Sequence, residues 1–211
     1  MKKVIVLIAT VFAIQVSATA QSLQSAVTQL DQAASAKDYQ ALATQFEELA
    51  NKEPDNWLPW YYAAYCHAKT GWIYQDDGER IEPFADKAEH QIKKALSLLD
   101  TVKQKNELSE VLVVMSMVNR ARVFINPMTM GRKYGPDAGK YAQLALKANP
   151  DNARALYLAG WEKYATPKMW GGDKKKAKEL LTQAQQKLAS QNNGDQPHWG
   201  KKETEELLGK L

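Results

Sequence analysis

One set of intervals recurs along the chain and restricts its fold more than any single motif. Leu42, Phe46, Leu49 and Pro54 are separated by four, three and five residues. Ala88, Ile92, Ala95 and Asp100 repeat the set with aspartate in place of proline, and Ala138, Ala142, Ala145 and Pro150 repeat it again. Ala177, Leu181 and Ala184 carry the first two steps a fourth time. Steps of three and four place side chains on one face of an α-helix. A proline after the run lacks an amide donor and clashes with the preceding turn, so the helix ends before it. The small–large–small order has a direct use: alanine lets two helices approach closely while the larger side chain fills the gap.

Each of these helices needs a partner, and the intervening sequence supplies one. Leu23, Val27, Leu30 and Ala34 step by four, three and four before Lys37-Asp38 breaks the pattern. Trp60, Ala63, Ala64 and Gly71 set a second register, with His67 between them, and Leu156, Ala159 and Gly160 set another. Asn106 to Phe124 reads as a further helix. Pro-Asp-Asn occurs twice, at Pro54-Asp55-Asn56 and Pro150-Asp151-Asn152, and marks a turn whose Asp or Asn caps the next helix.

Together these positions resemble the tetratricopeptide (TPR) repeat, over about Gln24 to Leu188. The resemblance implies an all-α, TPR-like α-solenoid of about four helix pairs, a right-handed superhelix whose ligands lie on the concave face against the first helices. The chain departs from the family in length. Its second-helix anchors at 42, 88, 138 and 177 are spaced by 46, 50 and 39 residues, against about 34 for the repeat. The surplus falls at about Trp72 to Pro83, Phe124 to Pro136 and Ala165 to Gly172. Insertions at equivalent positions of a stack emerge along one edge, so these three should meet. They hold Trp72, Tyr74, Met128, Met130, Arg132, Tyr134, Met169 and Trp170 among turn-forming glycines and prolines, and are not slack polar linkers.

The ends of the chain define its organisation. Lys2 and Lys3, the apolar run from Val4 to Val16 and Ser17-Ala18-Thr19-Ala20 read as a signal peptide over residues 1–20. The helical repeats then occupy 21–189, and 190–211 forms a linker and a C-terminal capping helix, with Trp199 as an apolar plug against the open end of the stack. The chain is therefore expected to be periplasmic or secreted, with no membrane span after cleavage. Without Lys2 and Lys3 the formal charge falls from +4 to +2, which gives no basic stripe for nucleic acid. Cys66, the only cysteine, cannot form an internal disulfide, so packing must hold the fold.

The chemistry of sites is sparse. His67, His90 and His198 lie far apart, Cys66 has no recognisable orienting partners, and no Cys-x2-Cys, His-x3-His or acidic calcium loop is present. No catalytic residue, metal or cofactor is expected, and the chain reads as a binding protein, not an enzyme. Gly171-Gly172-Asp173 opens a helix, but Asp173 caps it and repels an anion.

The binding candidates lie on the first helices. Tyr61 and Tyr65 share one groove-facing stripe; Arg154, Tyr157, Trp161 and Tyr164 share another, and the inserted loops add Arg132 and Trp170. Aromatic groups offer large apolar area at low entropic cost, and arginine holds a carboxylate through two parallel hydrogen bonds. The same rings could instead pack as a second core under the loops. The leading expectation is a scaffold that captures a peptide or protein partner, with Arg154 and Arg132 anchoring a carboxylate or another anion, a small anionic ligand included. A second expectation is a small-molecule carrier with a pocket under the insertions, because the chain is also distantly similar to periplasmic tetratricopeptide subunits of tripartite solute transporters. A third is an assembly element that self-associates through exposed apolar loops.

Overall fold

A computed structural model describes residues 23–191 and 194–211. The signal peptide expected over 1–20 lies outside these residues. The described chain is all-α, as the intervals predict, and contains no strand among the described residues. Its helices are α1 (23–30), α2 (Ala36–Lys52), α3 (Trp57–Ile73), α4 (Glu82–Ser97), α5 (Lys105–Ile125), α6 (Pro127–Ala148), α7 (Ala153–Ala165), α8 (Lys174–Ala189) and α9 (Lys201–Leu208). Single 3-10 turns at Gly78–Arg80 and Lys168–Trp170 lie between α3 and α4 and between α7 and α8.

The recurring intervals form the seams of the molecule. All twelve apolar positions of the four sets are buried, and the most exposed of them, Leu49, reaches only 9%. Helix α3 packs against α2 and α4, α5 against α6, and α7 against α8, while α3, α5 and α7 also lie side by side. Small residues fix how close they come. A Cβ on Gly71 of α3 would stand 3.1 Å from the Ala121 Cβ of α5, and one on Gly160 of α7 would stand 2.8 Å from Leu181 Cγ of α8. Helix α5 runs through the middle, buried on every side from Ser109 to Val118, as expected of a helix without a solvent face.

The caps follow the sequence at most junctions. Asn56 accepts from the Leu58 amide, Asn152 from those of Arg154 and Ala155, and Asp173 from that of Lys176. One boundary differs. Lys37-Asp38 does not interrupt the first pair; it lies in the first turn of α2, and the break falls at 31–35. Ser35 is the cap, and Asp38 completes a reciprocal capping box by receiving the Ser35 amide, so a charged pair that looks like a breaker is a helix start.

The insertions are resolved differently from one another. The second, expected as a loop over Phe124 to Pro136, is mostly helix: Asn126 alone separates α5 from α6. Asn126 accepts from the Met128 and Thr129 amides, and Pro127 at the first helical position is pre-set in φ. Pro136 then sits inside α6, where it removes the hydrogen bond to the Arg132 carbonyl. Gly131, Gly135 and Gly139 each lower helix stability by ~0.5–1 kcal/mol relative to alanine. The third insertion turns at Gly171, whose φ is +93°, and at Gly172, where a Cβ would overlap the Thr166 carbonyl. These glycines therefore serve the turn.

The seam at Gly160 is the most directly testable part of this packing. Gly160→Ala must displace Leu181 and should cost about 1–3 kcal/mol, read as a lower urea midpoint with helicity unchanged in the absence of denaturant.

Candidate functional site

Two surfaces could hold a ligand, and the chain itself fills one of them. Residues 194–211 pack on α8 and also cross the face built by α3 and α7 to reach α1. Gln24 donates to the Gly194 carbonyl, His198 Nε2 stands 2.8 Å from the Asp31 carboxylate, and Tyr62 donates to the Asp195 carbonyl at 2.7 Å. The Trp199 ring stacks on Tyr65 with centroids 4.5 Å apart, and its Nε1 donates to the Tyr61 hydroxyl at 2.9 Å. Lys69 pairs with Glu203 at 2.5 Å. This segment acts as a strap across the stripe that the sequence assigns to a ligand.

Tyr61, Tyr65, Arg154 and Tyr157 are consequently interior, at 0%, 1%, 3% and 7% exposure. Arg154 meets no solvent-borne carboxylate, because Glu110 of α5 receives its Nε and Nη2 in a two-pronged pair at 2.8 and 2.7 Å. Burial alone would lower the guanidinium pKa, but the Glu110 charge outweighs it and holds the group protonated. Asn152 and Tyr61 complete the shell of Glu110, and Gln191 receives Arg154 Nη1. Burial pushes the Tyr61 and Tyr65 phenols well above their ordinary range, so both remain neutral. Among the described residues, no buried side-chain nitrogen or oxygen lacks a partner. A fully satisfied buried network is structural in kind.

The other surface is the rim where α3, α5 and α7 end. Trp72, Phe124 and Trp161, one from each helix end, form a mutual cluster with centroids 5.0–5.9 Å apart. Trp72 Nε1 donates to the Met117 carbonyl, and the Arg120 guanidinium lies over the Trp161 ring while pairing with Glu162. A Cβ on Gly78 would collide with the Ile125 backbone, so the first insertion is pressed against the end of α5. The space beneath the insertions is thus filled by aromatic rings. Outside that cluster lie the exposed apolar side chains Ile73, Met128, Met169 and Trp170, the last three at 86%, 82% and 73% exposure. Side chains of this size normally find cover, and a concentration of them at one end marks an interaction surface.

Positive charge borders this rim. Arg132, Lys133 and Lys168 are exposed, Lys163 donates to the Gly171 carbonyl at 2.9 Å, and the Lys174 ammonium lies 5.5 Å from the centre of the Tyr164 ring. Of the residues that the sequence singles out, the structure thus brings Trp161, Tyr164, Trp170 and Arg132 to the rim, and Tyr61, Tyr65, Arg154 and Tyr157 beneath the strap. Ile73, Met128 and Met169 join the site without having been assigned to it. Their signal was present, since the two methionines stand in insertions rich in large apolar residues.

Titratable groups elsewhere are committed to the fold. Cys66 is fully buried, and burial pushes its thiol well above the ordinary range. His67 Nδ1 meets Gln91 at 2.9 Å, and Gln91 in turn donates to Glu47. Among the described residues, no group of three or more His, Cys, Asp or Glu is placed to hold a metal ion. No described helix is long and apolar enough to cross a membrane.

Neither a protein-family model nor a curated protein sequence matches the chain. A solved structure does: the HusA haemophore from Porphyromonas gingivalis, at 30% identity, with a TM-score of 0.77 and 90% of each chain covered. The chain belongs to the family of the HusA haemophore. That relationship supports the helical-repeat, all-α fold and does not carry the tetratricopeptide assignment. It also overturns the expectation of a scaffold for peptides or protein segments, since this relative is a haemophore. The structure supplies the physical reason: the stripe that would receive a peptide is covered by the chain's own C-terminal strap.

Two outcomes test these assignments. Arg154→Ala leaves the Glu110 carboxylate buried without its cation, and should cost about 3–5 kcal/mol in urea unfolding. Burial also lowers the His67 pKa below its ordinary 6.5, outweighing Gln91 and Glu47. A folded-state value below the unfolded one means that the unfolded chain takes up the proton first. The His67 contribution is therefore complete above about pH 6.5 and lost as the pH falls below it. The urea midpoint should drop between pH 7 and pH 5, and drop less in His67→Leu.

Proposed function

We propose that this protein is an exported carrier of a small planar amphiphile, haem or a closely related porphyrin, held at the rim of α3, α5 and α7. The observation that carries the reading is the 30% identity to a haemophore over 90% of both chains. The rim supports it chemically. A porphyrin offers a wide apolar disc with carboxylates at one edge. Trp170 can stack on such a disc, and the flexible thioethers of Met128 and Met169 adapt to its surface. Arg132, Lys133 and Lys168 are exposed on the segments that border the rim and could give the carboxylates charge-assisted hydrogen bonds. Methionine sulfur is also a known axial ligand of haem iron, so the thioethers suit the metal that the cargo brings with it.

Non-catalytic action accords with this reading, because carriage requires only differential affinity and release. The signal peptide read from residues 1–20 supports export. The recurring 4-3-5 intervals support a tetratricopeptide-like origin for the repeats, here put to carrying a small molecule. A basic border with an apolar centre also separates this site from the exposed face of α8. There Lys175, Lys178, Glu179, Thr182, Gln183 and Gln186 line a shallow depression with no large apolar side chain.

The test is an absorbance titration of the processed chain with haem. A saturable change in the Soret band is expected, with binding weakened roughly tenfold in Met169→Ala/Trp170→Ala, a loss typical of central contact residues. Equal affinity in that variant would move the site away from the rim, and no saturable change in the parent chain would end the carrier reading for haem.

A further inference from the structure

Helix α8 opens with charge of the wrong sign for its own stability. Lys174, Lys175, Lys176 and Lys178 occupy its first turn and the start of the second, and no acidic residue lies in the first turn. The N-terminal end of a helix carries partial positive charge, so cations there work against the fold. Asp173 offsets part of this as the cap, where it accepts from the Lys176 amide. Carboxylates elsewhere do not absorb the remainder. Glu179 pairs with Lys176 and Glu162 with Arg120. Among the described residues, no carboxylate forms an ion pair with Lys163, Lys168, Lys174, Lys175 or Lys178.

These lysines flank an apolar tip. The Gly172 amide donates to the Pro167 carbonyl and the Asp173 amide to the Lys163 carbonyl, which closes residues 168–171 into a turn between α7 and α8. Lys163 ties the turn from the side through the Gly171 carbonyl. Met169 and Trp170 stand on it at 82% and 73% exposure. The lysines from 174 to 178 leave α8 within ~6 Å of one another along its axis, immediately after the turn. We propose that residues 163–178 dock the protein on an anionic phospholipid surface, with Trp170 and Met169 entering the interface and the lysines meeting the phosphates around them. Tryptophan rings settle at the level of lipid headgroups, and lysines near an anionic leaflet add attraction one by one. A stable protein partner would need about 800 Å² on each side, more than a four-residue turn presents, whereas a bilayer accepts one ring and one thioether. Docking of this kind is peripheral, in keeping with described helices too short or too polar to cross a membrane. Trp170 also belongs to the proposed cargo site, and one ring cannot be covered by a disc and by lipid at once. Docking is therefore tested on the haem-free chain, where its outcome leaves the carrier reading untouched.

The processed chain should sediment with vesicles of equal parts phosphatidylglycerol and phosphatidylcholine and stay in solution with phosphatidylcholine alone. Added salt should release it, because exposed charges are screened. Lys175 and Lys178 lie on the outer face of α8, away from the cargo site. Lys175→Gln/Lys178→Gln should bind the anionic vesicles about thirtyfold more weakly, with an unchanged haem titration. Brominated acyl chains should quench the tryptophan fluorescence of the parent chain. That quenching should largely disappear in Trp170→Phe, which keeps an aromatic ring at the tip and removes the reporter. Failure to sediment with anionic vesicles, equal sedimentation with both vesicle types, or unchanged affinity in the lysine variant would each overturn the proposal. Quenching that persists in Trp170→Phe would place another tryptophan in the lipid and overturn it too. Sedimentation without any quenching would leave the lysines as a site for soluble polyanions, and the lipid surface would again be lost.

Discussion

Close approach along the alanine seams is the constraint on which the rest of the structure depends. Ala88, Ala95, Ala138, Ala145, Ala177 and Ala184 are each essentially inaccessible; Ile92 and Leu181 fill the gap between the first and last pairs, and Ala142 keeps the α6 seam small throughout. Because α5 lies against both α3 and α7, with Gly71 and Ala121 nearly touching, the three odd-numbered helices end beside one another. That placement brings Trp72, Phe124 and Trp161 together and carries the insertions to one end of the molecule. The rim is thus a consequence of the seams. A methyl group added within them would act on the spacing of helices as well as on local packing, since interiors at crystal-like density transmit such changes.

The strap depends on the same geometry and explains why the stripe of Tyr61, Tyr65 and Tyr157 is no open groove. A segment tethered to the stack is present at a high effective concentration, of the order of millimolar for short flexible connections. A free peptide would have to displace it together with the Trp199–Tyr65 stack, the Tyr62–Asp195 hydrogen bond and the Lys69–Glu203 pair. Glu110 and Arg154 add a further restriction. They lie behind the strap with every hydrogen-bonding atom engaged, and an incoming carboxylate would have to break a buried ion pair to reach the guanidinium.

Much of this was legible in the sequence because helix seams leave a local signature. The twelve interval positions are the buried ones, the two Pro-Asp-Asn turns provide caps, and three insertions at equivalent positions reach a common rim. What the sequence did not reveal depended on capping bonds that periodicity does not register and on contacts between distant residues. Gly131, Gly135 and Pro136 read as a loop by every local rule, yet α6 begins at Pro127, because Asn126 caps it and its second half is anchored in the seam. Lys37-Asp38 read as a break because the reciprocal bond from Asp38 back to Ser35 is invisible to periodicity. Arg154 and the tyrosines read as ligand contacts because their true partners, Glu110 and Trp199, are more than forty residues away in the chain.

The exposed rim follows from how the molecule distributes its apolar surface. Fully covering a side chain the size of methionine stabilises a fold by about 1.5–3 kcal/mol, and Met128 and Met169, at 86% and 82% exposure, forgo nearly all of that. Trp199 shows that this fold can cover a tryptophan when its geometry provides for it: the ring is stacked, hydrogen-bonded and half-buried. Trp170 receives no such treatment, although it closes a 3-10 turn that Gly171 and Gly172 hold in a fixed shape. Rigid presentation of an uncovered ring is the opposite of what folding stability alone would select. It is what a surface requires if the missing cover is to be supplied by something the protein picks up and later gives away.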